Sequence, residues 1–152
     1  MIPKLYTLGH SNKTIEELIQ KLVDNKIEAL VDVRTIPYSK YNPQFNRENL
    51  SFRLSQNNIH YYYRGKNLGG KGGKEANTGW DKAIDELKSW AERDLRVCVM
   101  CSEADPNNCH RQSTIQPDAE KVGLTIEHIL WKAIQSAKIK AEVEVVKQHT
   151  LF

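Results

Sequence analysis

The chain has 152 residues, of which 39% are hydrophobic and 27% are charged, and its formal net charge is +3. These values are typical of one soluble globular domain with a sizeable core, and they exclude a disordered chain. The mild positive charge permits a polyanionic partner but lacks the dense basic stripe of a dedicated DNA-binding protein. Three cysteines and no apparent signal peptide predict a cytoplasmic protein with reduced thiols, and no apolar run is long enough to span a membrane.

The first half of the chain predicts alternating strands and helices. Short apolar runs indicate buried strands, and Thr14 with Glu17 forms a capping-box pattern before residues at helical spacing. The stretch 35–45 contains two prolines and is predicted to be irregular. The predicted elements are, in order, strand 5–8, helix 14–25, strand 29–33, helix 46–56 and strand 59–63.

The second half begins with the segment 65–74, which holds five glycines and three lysines and predicts a mobile cationic loop. Its Gly65, Gly70 and Lys71 have P-loop spacing, but Gly72 stands where a magnesium-binding Ser or Thr is required, so NTP hydrolysis is disfavoured. The tail 131–152 has helical character and then a Val-rich run, and it is not assigned to an element. The predicted elements are helix 80–93, strand 95–100, helix 107–122 and strand 124–130.

Strands that alternate with helices at this spacing predict an α/β fold. We expect a single three-layer domain over 1–152, with a mostly parallel central sheet flanked by helices, in a Rossmann-like arrangement. Ligands bind such sheets beyond the carboxyl ends of the strands. Polar clusters follow three predicted strands directly: Gly9-His10-Ser11, Arg34 and Cys101-Ser102-Glu103. The sequence therefore predicts one polar crevice that collects all three.

The stretch 101–111 is the centre of this prediction. Asp105 followed by Pro106 is typical of an N-cap and the first helical position. Cys109 and Arg111 would then lie in the first two turns of a helix, where the unpaired N–H groups and the helix dipole stabilise an anion or a thiolate.

The chain resembles a family of uncharacterised bacterial and archaeal proteins known as domain of unknown function 488, over about residues 5–130. The resemblance implies an α/β sheet and a shared polar site, which includes Ser39 and His110 as candidate substrate-binding residues, but it names no reaction. The residues that carry the resemblance are Gly9-His10-Ser11, Val31-Asp32-Val33-Arg34, Pro37, Ser39, Leu68-Gly69-Gly70, Cys101, Glu103, Cys109-His110-Arg111 and His128-Ile129.

The first functional hypothesis is an enzyme that binds an anionic group, such as the phosphate of a nucleotide. Arg34 and Arg111 are candidate clamps for its oxygens, and Ser11 is a further donor. Glu103 or His10 would move a proton. The structural alternative is that Arg34 pairs with Glu103 and that Asp32 is a buried ion-pair residue.

The second hypothesis is thiol chemistry of the rhodanese kind, with Cys101 as the catalytic cysteine and Cys109 as a resolving thiol. Glu103 and Asp105 weigh against it, because negative charges nearby raise the pKa of a thiol. Cys109 is also interpreted as a packing residue on the inner face of its helix.

A third hypothesis is a nucleic-acid-binding module without catalysis that uses Tyr61-Tyr62-Tyr63-Arg64 and the lysine-containing loop. No cofactor is predicted. No metal site is expected either, because neither a C-x2-C pair nor an H-x3-5-H pair is present. The predicted partners are thus an anionic small molecule or a nucleic acid, without a membrane, and the oligomeric state stays open.

Overall fold

The structure, a computed structural model, describes residues 2–131. Apart from Trp131, the predicted tail over 131–152 lies outside the described residues. The strands form one sheet in which every neighbouring pair is parallel. This arrangement confirms the α/β fold and the parallel sheet. The strands are β1 Lys4–Gly9, β2 Ala29–Asp32, β3 His60–Tyr63, β4 Val97–Cys101 and β5 Thr125–His128.

Helices connect the strands, and their bounds lie close to those expected from the sequence. Thr14 caps the first helix through the predicted capping box with Glu17. A π-helical turn over Arg111–Ile115 precedes the last helix, in which Pro117 has no N–H to donate to the carbonyl of Ser113. The helices are α1 Ile15–Asp24, α2 Arg47–Ser55, α3 Gly65–Leu68, α4 Trp80–Glu92 and α5 Gln116–Lys121.

One boundary prediction is wrong. Helix 107–122 was expected to contain Cys109, but Pro106–Asn108 forms a separate 3-10 turn and Cys109 is extended, with φ −134° and ψ 145°. The helical stretch begins after Cys109, whose carbonyl accepts the N–H of Gln112. Cys109 therefore occupies the cap position of the helix instead of its first turns.

The core has two halves, one on each face of the sheet. Alternate residues of β4 belong to different halves: Val97, Val99 and Cys101 pack with α4 and α5, whereas Cys98 and Met100 pack with α1 and α2. Helices thus cover both faces of a sheet whose central strands are wholly buried. The result is the predicted three-layer arrangement.

The strand order β3-β2-β4-β1-β5 determines where the polar clusters meet. β1 and β2 are consecutive in the chain but not neighbours in the sheet, because β4 lies between them. Main-chain hydrogen bonds continue beyond the strands, from the N–H of His10 to the carbonyl of Cys101 (2.9 Å) and from the N–H of Val33 to that of Met100 (3.0 Å). The carboxyl ends of β1, β2 and β4 therefore share one edge, as ligand sites in parallel sheets require.

Candidate active site

A cavity of about 390 Å³ opens at this edge. A larger cavity, of about 720 Å³, lies at the opposite end of the sheet, but its lining contains no cysteine or histidine. The smaller cavity is the candidate site because nucleophilic and titratable side chains converge on it. Its lining residues are Arg34, Thr35, Ile36, Gly70, Lys71, Cys101, Ser102, Glu103, Asn108, Cys109 and His110.

Two free thiols meet in the wall of the cavity. The Sγ atoms of Cys101 and Cys109 lie 2.6 Å apart. Cys101, at the end of β4, is 3% exposed, whereas Cys109 is only partly buried. Cys109 is therefore the thiol that a ligand in the cavity reaches first, and Cys101 lies behind it.

Arg111 lies fully buried beneath this pair. Its Nη1 donates to the Sγ of Cys101 (2.7 Å) and to the carbonyl of Glu103, and its Nη2 donates to the carbonyl of Ala104 (2.9 Å). Its Nε has no partner among the described residues. Arg111 does not line the cavity, so its charge acts on the thiols and not as the predicted clamp on a ligand anion.

His110 contacts the other thiol. Its Nε2 lies 2.9 Å from the carbonyl of Leu68, and its Nδ1 lies 3.6 Å from the Sγ of Cys109. Because a carbonyl only accepts, Nε2 carries a proton, and the Nδ1 of a neutral ring turns its lone pair toward Cys109. His110 is thus placed to take the proton of the Cys109 thiol, after which its Nδ1–H donates to the thiolate.

These contacts separate the acidities of the two thiols. The pKa of Cys109 falls to about 4, because its sulfur accepts a hydrogen bond from the Cys101 thiol and further ones from His110 and the N–H of Arg111. The pKa of Cys101 is raised, because its thiol donates that hydrogen bond and is buried. These opposite shifts favour the thiolate on Cys109 over the thiolate on Cys101.

The two nearby carboxylates do not point at the thiols. Glu103 Oε1 accepts the N–H of Asp105 (3.2 Å), and the carboxylate of Asp105 accepts the N–H of Asn107 (2.9 Å). The pKa of Cys101 is raised, as expected, but by its hydrogen bond to Cys109 and by burial, and not by these two carboxylates.

Arg34 lines the cavity but pairs with Asp32, and not with Glu103 as the structural alternative proposed. Its Nε and Nη2 donate to the two carboxylate oxygens of Asp32 at 2.9 and 2.7 Å, and Nη2 also donates to the carbonyl of Phe45. Tyr61 donates its hydroxyl hydrogen to the same carboxylate (2.6 Å). Asp32 is thus a buried ion-pair residue, as that alternative proposed, and most of Arg34 is committed to it.

His10 lies outside the lining of the cavity. It is 2% exposed and stacks on Phe45 with ring centroids 4.3 Å apart, and its Nδ1 donates to the carbonyl of Ser11 (2.7 Å). Burial and, to a smaller extent, the nearby Arg34 lower its pKa to about 4, against the opposing effects of the hydrogen bond to Ser11 and the charge of Asp32. His10 is therefore a neutral packing residue at pH 7 whose Nε2 has no partner among the described residues.

The two serines predicted to bind substrate also lie outside the cavity lining. Ser11 has a positive φ of 54° and contacts Asn12. Ser39 accepts the N–H groups of Tyr41 and Asn42 with its Oγ, each at 3.1 Å. Both residues thus shape turns beside the site, and a binding role for either stays a prediction.

The glycine- and lysine-containing loop 65–74 is folded instead of open. Asn77 fastens it, because its Oδ1 accepts the N–H of Gly69 (3.0 Å) while its Nδ2 donates to the carbonyls of Gly69 (2.8 Å) and Gly73 (3.1 Å). The N–H of Lys71 donates to the Oγ1 of Thr35 (3.1 Å). The loop therefore forms one wall of the cavity and adds Lys71, which sequence reasoning did not assign to the site.

The segment Tyr61-Tyr62-Tyr63-Arg64, which comprises most of β3 and the residue after it, is largely structural. Tyr62 packs on Trp90 with ring centroids 4.8 Å apart, and Arg64 forms a two-point ion pair with Glu86 at 2.8 and 3.3 Å. Nucleic-acid binding by this segment stays a prediction. Within residues 2–131 the side chains form no cluster of three or more metal-ligating groups, and no helix is long and apolar enough to cross a membrane.

Fold and site together define an α/β protein with a parallel five-stranded sheet and a dithiol at its carboxyl edge. The chain belongs to the family described as domain of unknown function DUF488, whose model matches residues 14–81 and 73–116. No curated protein and no solved structure matches the chain. The family assignment confirms the resemblance, and it specifies no activity.

Proposed function

We propose that the chain is a thiol enzyme in which Cys109 is the nucleophile and Cys101 is the resolving thiol. One observation carries the proposal: the two Sγ atoms lie 2.6 Å apart, with the guanidinium of Arg111 on Cys101 and the imidazole of His110 on Cys109. The lowered pKa of Cys109 supports its role, because the thiolate is the nucleophilic form. The roles are the reverse of those expected from the sequence.

The proposed reaction has two displacements. The Cys109 thiolate attacks a sulfur atom of the substrate, forms an S–S bond with it and expels the other half of the substrate as an anion. Cys101 then attacks the Sγ of Cys109, its proton goes to the departing sulfur, and a Cys101–Cys109 disulfide forms. A small thiol reductant restores both thiols.

Arg111 supports the second displacement. Cys101 must lose its proton to attack, and its Sγ already accepts a hydrogen bond from the Nη1 of Arg111. A charge-assisted hydrogen bond of this kind stabilises the developing thiolate. Burial strengthens the interaction, since water does not compete for the guanidinium.

Mass spectrometry after exposure to a low-molecular-weight disulfide tests the proposal. All three cysteines lie in one tryptic peptide, Val97–Arg111. We expect that peptide to lose two hydrogens in the wild-type chain and in a Cys98→Ala variant, since Cys98 is buried in the core and takes no part. If the peptide keeps its mass, or if only intermolecular disulfides form, the proposal is wrong.

A second candidate is an enzyme or binding protein for a phosphate-bearing ligand, a nucleotide or a nucleic acid. The observation that favours it is the presence of Arg34 and Lys71 on the cavity. Calorimetric titration with phosphate and mononucleotides tests it. Binding that persists in a chain with both Cys101 and Cys109 replaced by serine supports this candidate, and absence of binding to either chain rejects it.

A further inference from the structure

The polar groups around the thiols point to the kind of substrate. We infer that the substrate is a small sulfur compound that carries an oxyanion, of the thiosulfate class, and that Lys71 selects it. The inference rests on the proposed function and adds the charge of the substrate to it. Three groups carry the argument: Lys71, Arg34 and Glu103.

Lys71 supplies a positive charge at the cavity. Its main chain is fixed by the hydrogen bond to Thr35, so the side chain starts from a defined point on the cavity wall. Its ammonium forms no ion pair within residues 2–131, whereas Lys74 of the same loop pairs with Asp118 at 2.7 Å. The charge of Lys71 is therefore available to a ligand.

Arg34 supplies a donor. Its Nε and Nη2 are held by Asp32 and Phe45, but its Nη1 makes no hydrogen bond with any residue of the described part of the chain. Because Asp32 balances the charge of the guanidinium, Arg34 adds little net attraction for an anion, and its contribution is a hydrogen-bond donor that orients the ligand. An oxyanion that accepts from Nη1 would be oriented within the cavity.

The negative groups at the cavity are balanced or turned aside. Glu103 is exposed, and its Oε1 accepts the N–H of Asp105. The guanidinium of Arg111 donates to the Sγ of Cys101, which contacts the Sγ of Cys109, so a positive charge lies behind the thiol pair. The positive charge of Arg111 therefore offsets the repulsion between the Cys109 thiolate and an anionic substrate. The additional positive charge of Lys71 makes the net interaction attractive.

The first displacement is balanced for thiosulfate. The Cys109 thiolate attacks the outer sulfur, the S–S bond of thiosulfate breaks, and sulfite leaves with the bonding electron pair. Cys109 then holds a persulfide, and Cys101 releases its outer sulfur as hydrosulfide when the disulfide forms. Sulfite release therefore reports the first step alone.

Alkylation of the intact chain with an anionic and a neutral reagent tests the selectivity. The same thiolate displaces iodide from iodoacetate and from iodoacetamide, so the ratio of the two rates at Cys109 does not depend on its pKa. We expect Lys71→Gln to slow the alkylation of Cys109 by iodoacetate about fivefold, which is the effect of one partly screened charge. The rate of alkylation by iodoacetamide should not change. Lys74→Gln removes a charge from the same loop outside the cavity lining and should change neither rate.

Thiosulfate itself provides the second arm. The wild-type chain should release sulfite, and Lys71→Gln should require about fivefold more thiosulfate for the same rate. Equal effects of Lys71→Gln on both alkylating reagents, or none on either, would overturn the inference. A Cys109 that fails to react with iodoacetamide near neutral pH rejects the proposed function instead, so the two failures are distinguishable.

Discussion

Cys109 derives its chemistry from the residue that follows it and from its place before a helix. Its extended backbone puts the Sγ in front of the N–H of Arg111, and the adjacent imidazole and the Cys101 thiol complete its contacts. Side chains at such a position gain from the unpaired N–H groups and the dipole of the helix. We therefore expect the thiol at the cap of this helix to be acidic.

The first prediction concerns the pH dependence of Cys109. Its pKa of about 4 means that the thiolate fraction is nearly complete above about pH 5. The rate of alkylation by iodoacetamide at Cys109 should therefore be flat from there to neutral pH and should fall only in stronger acid. A rate that rises tenfold per pH unit through neutrality, as for an ordinary thiol, would contradict the prediction.

His10 provides a second prediction, on stability. Its folded pKa of about 4 lies below the unfolded value of 6.5, so between the two the unfolded chain binds more protons. The stability that neutral His10 contributes is complete above the unfolded pKa and is lost as the pH falls toward the folded one. The loss amounts to about 3 kcal/mol.

Urea unfolding of the wild type and a His10→Asn variant checks this value. The variant keeps a donor near the position of Nδ1 but has no titrating group. The free energy of unfolding of the variant should fall less than that of the wild type between neutral pH and about pH 4. The difference between the two chains isolates the effect of His10 from that of His128, whose pKa is also lowered by burial. Parallel pH profiles would show that His10 titrates normally.

At the scale of elements, two glycines let separate segments close on the thiol pair. A Cβ on Gly9 would overlap the carbonyl of Glu103 and lie 2.8 Å from the Nη1 of Arg111. A Cβ on Gly70 would lie 2.7 Å from the ring of His110. Leu68-Gly69-Gly70, one of the motifs that carry the family resemblance, thus positions the imidazole that contacts Cys109.

The third prediction uses that contact. Gly70→Ala should displace the imidazole and raise the pH at which Cys109 becomes reactive by about one unit, because a hydrogen bond to the thiolate is lost. Gly73→Ala is the matched control: it strains a residue of the same loop with φ of 79°, but its Cβ would contact Glu75 and not His110. We expect the control to lower the melting temperature without moving the pH profile of alkylation.

The order of strands and helices was predictable from short apolar runs, the capping box of α1 and the amphipathic pattern of α4. The start of the last helix was not predictable. Asp105-Pro106 fits the N-cap of a long helix, but it fits equally well the cap of a short 3-10 turn, which is what it forms. That error of a few residues placed Cys109 inside a helix. The interpretation of Cys109 as a packing residue is nevertheless confirmed, because Cys109 packs against the core half that contains α4 and α5.

At the scale of the whole molecule, the sheet order brings the ends of β1, β2 and β4 together, and this convergence was predicted. Alternation along the chain indicates parallel strands, and parallel strands end at a common edge. Whether each polar residue faces the cavity depends on tertiary contacts that periodicity does not encode. Arg34 turns back to Asp32, and Arg111 passes under Cys101.

The sequence signal that could have revealed the dithiol is the spacing of Cys101 and Cys109. Cys101 ends a strand, and Cys109 follows a turn of only seven intervening residues that returns to the same edge. A strand end and a helix cap separated by such a turn lie close together in a parallel sheet. The spacing of the two cysteines relative to the strand end and the helix, more than their residue type, therefore predicts that they meet.

The most direct test of the account is to trap the first intermediate. In a Cys101→Ser variant exposed to a low-molecular-weight disulfide, Cys109 should accumulate one stable mixed disulfide, because no resolving thiol remains. A Cys109→Ser variant should form none at Cys101. Mass spectrometry of the intact chains measures both. Adduct formation on Cys101 in the Cys109→Ser variant, with none on Cys109 in the Cys101→Ser variant, would contradict the account.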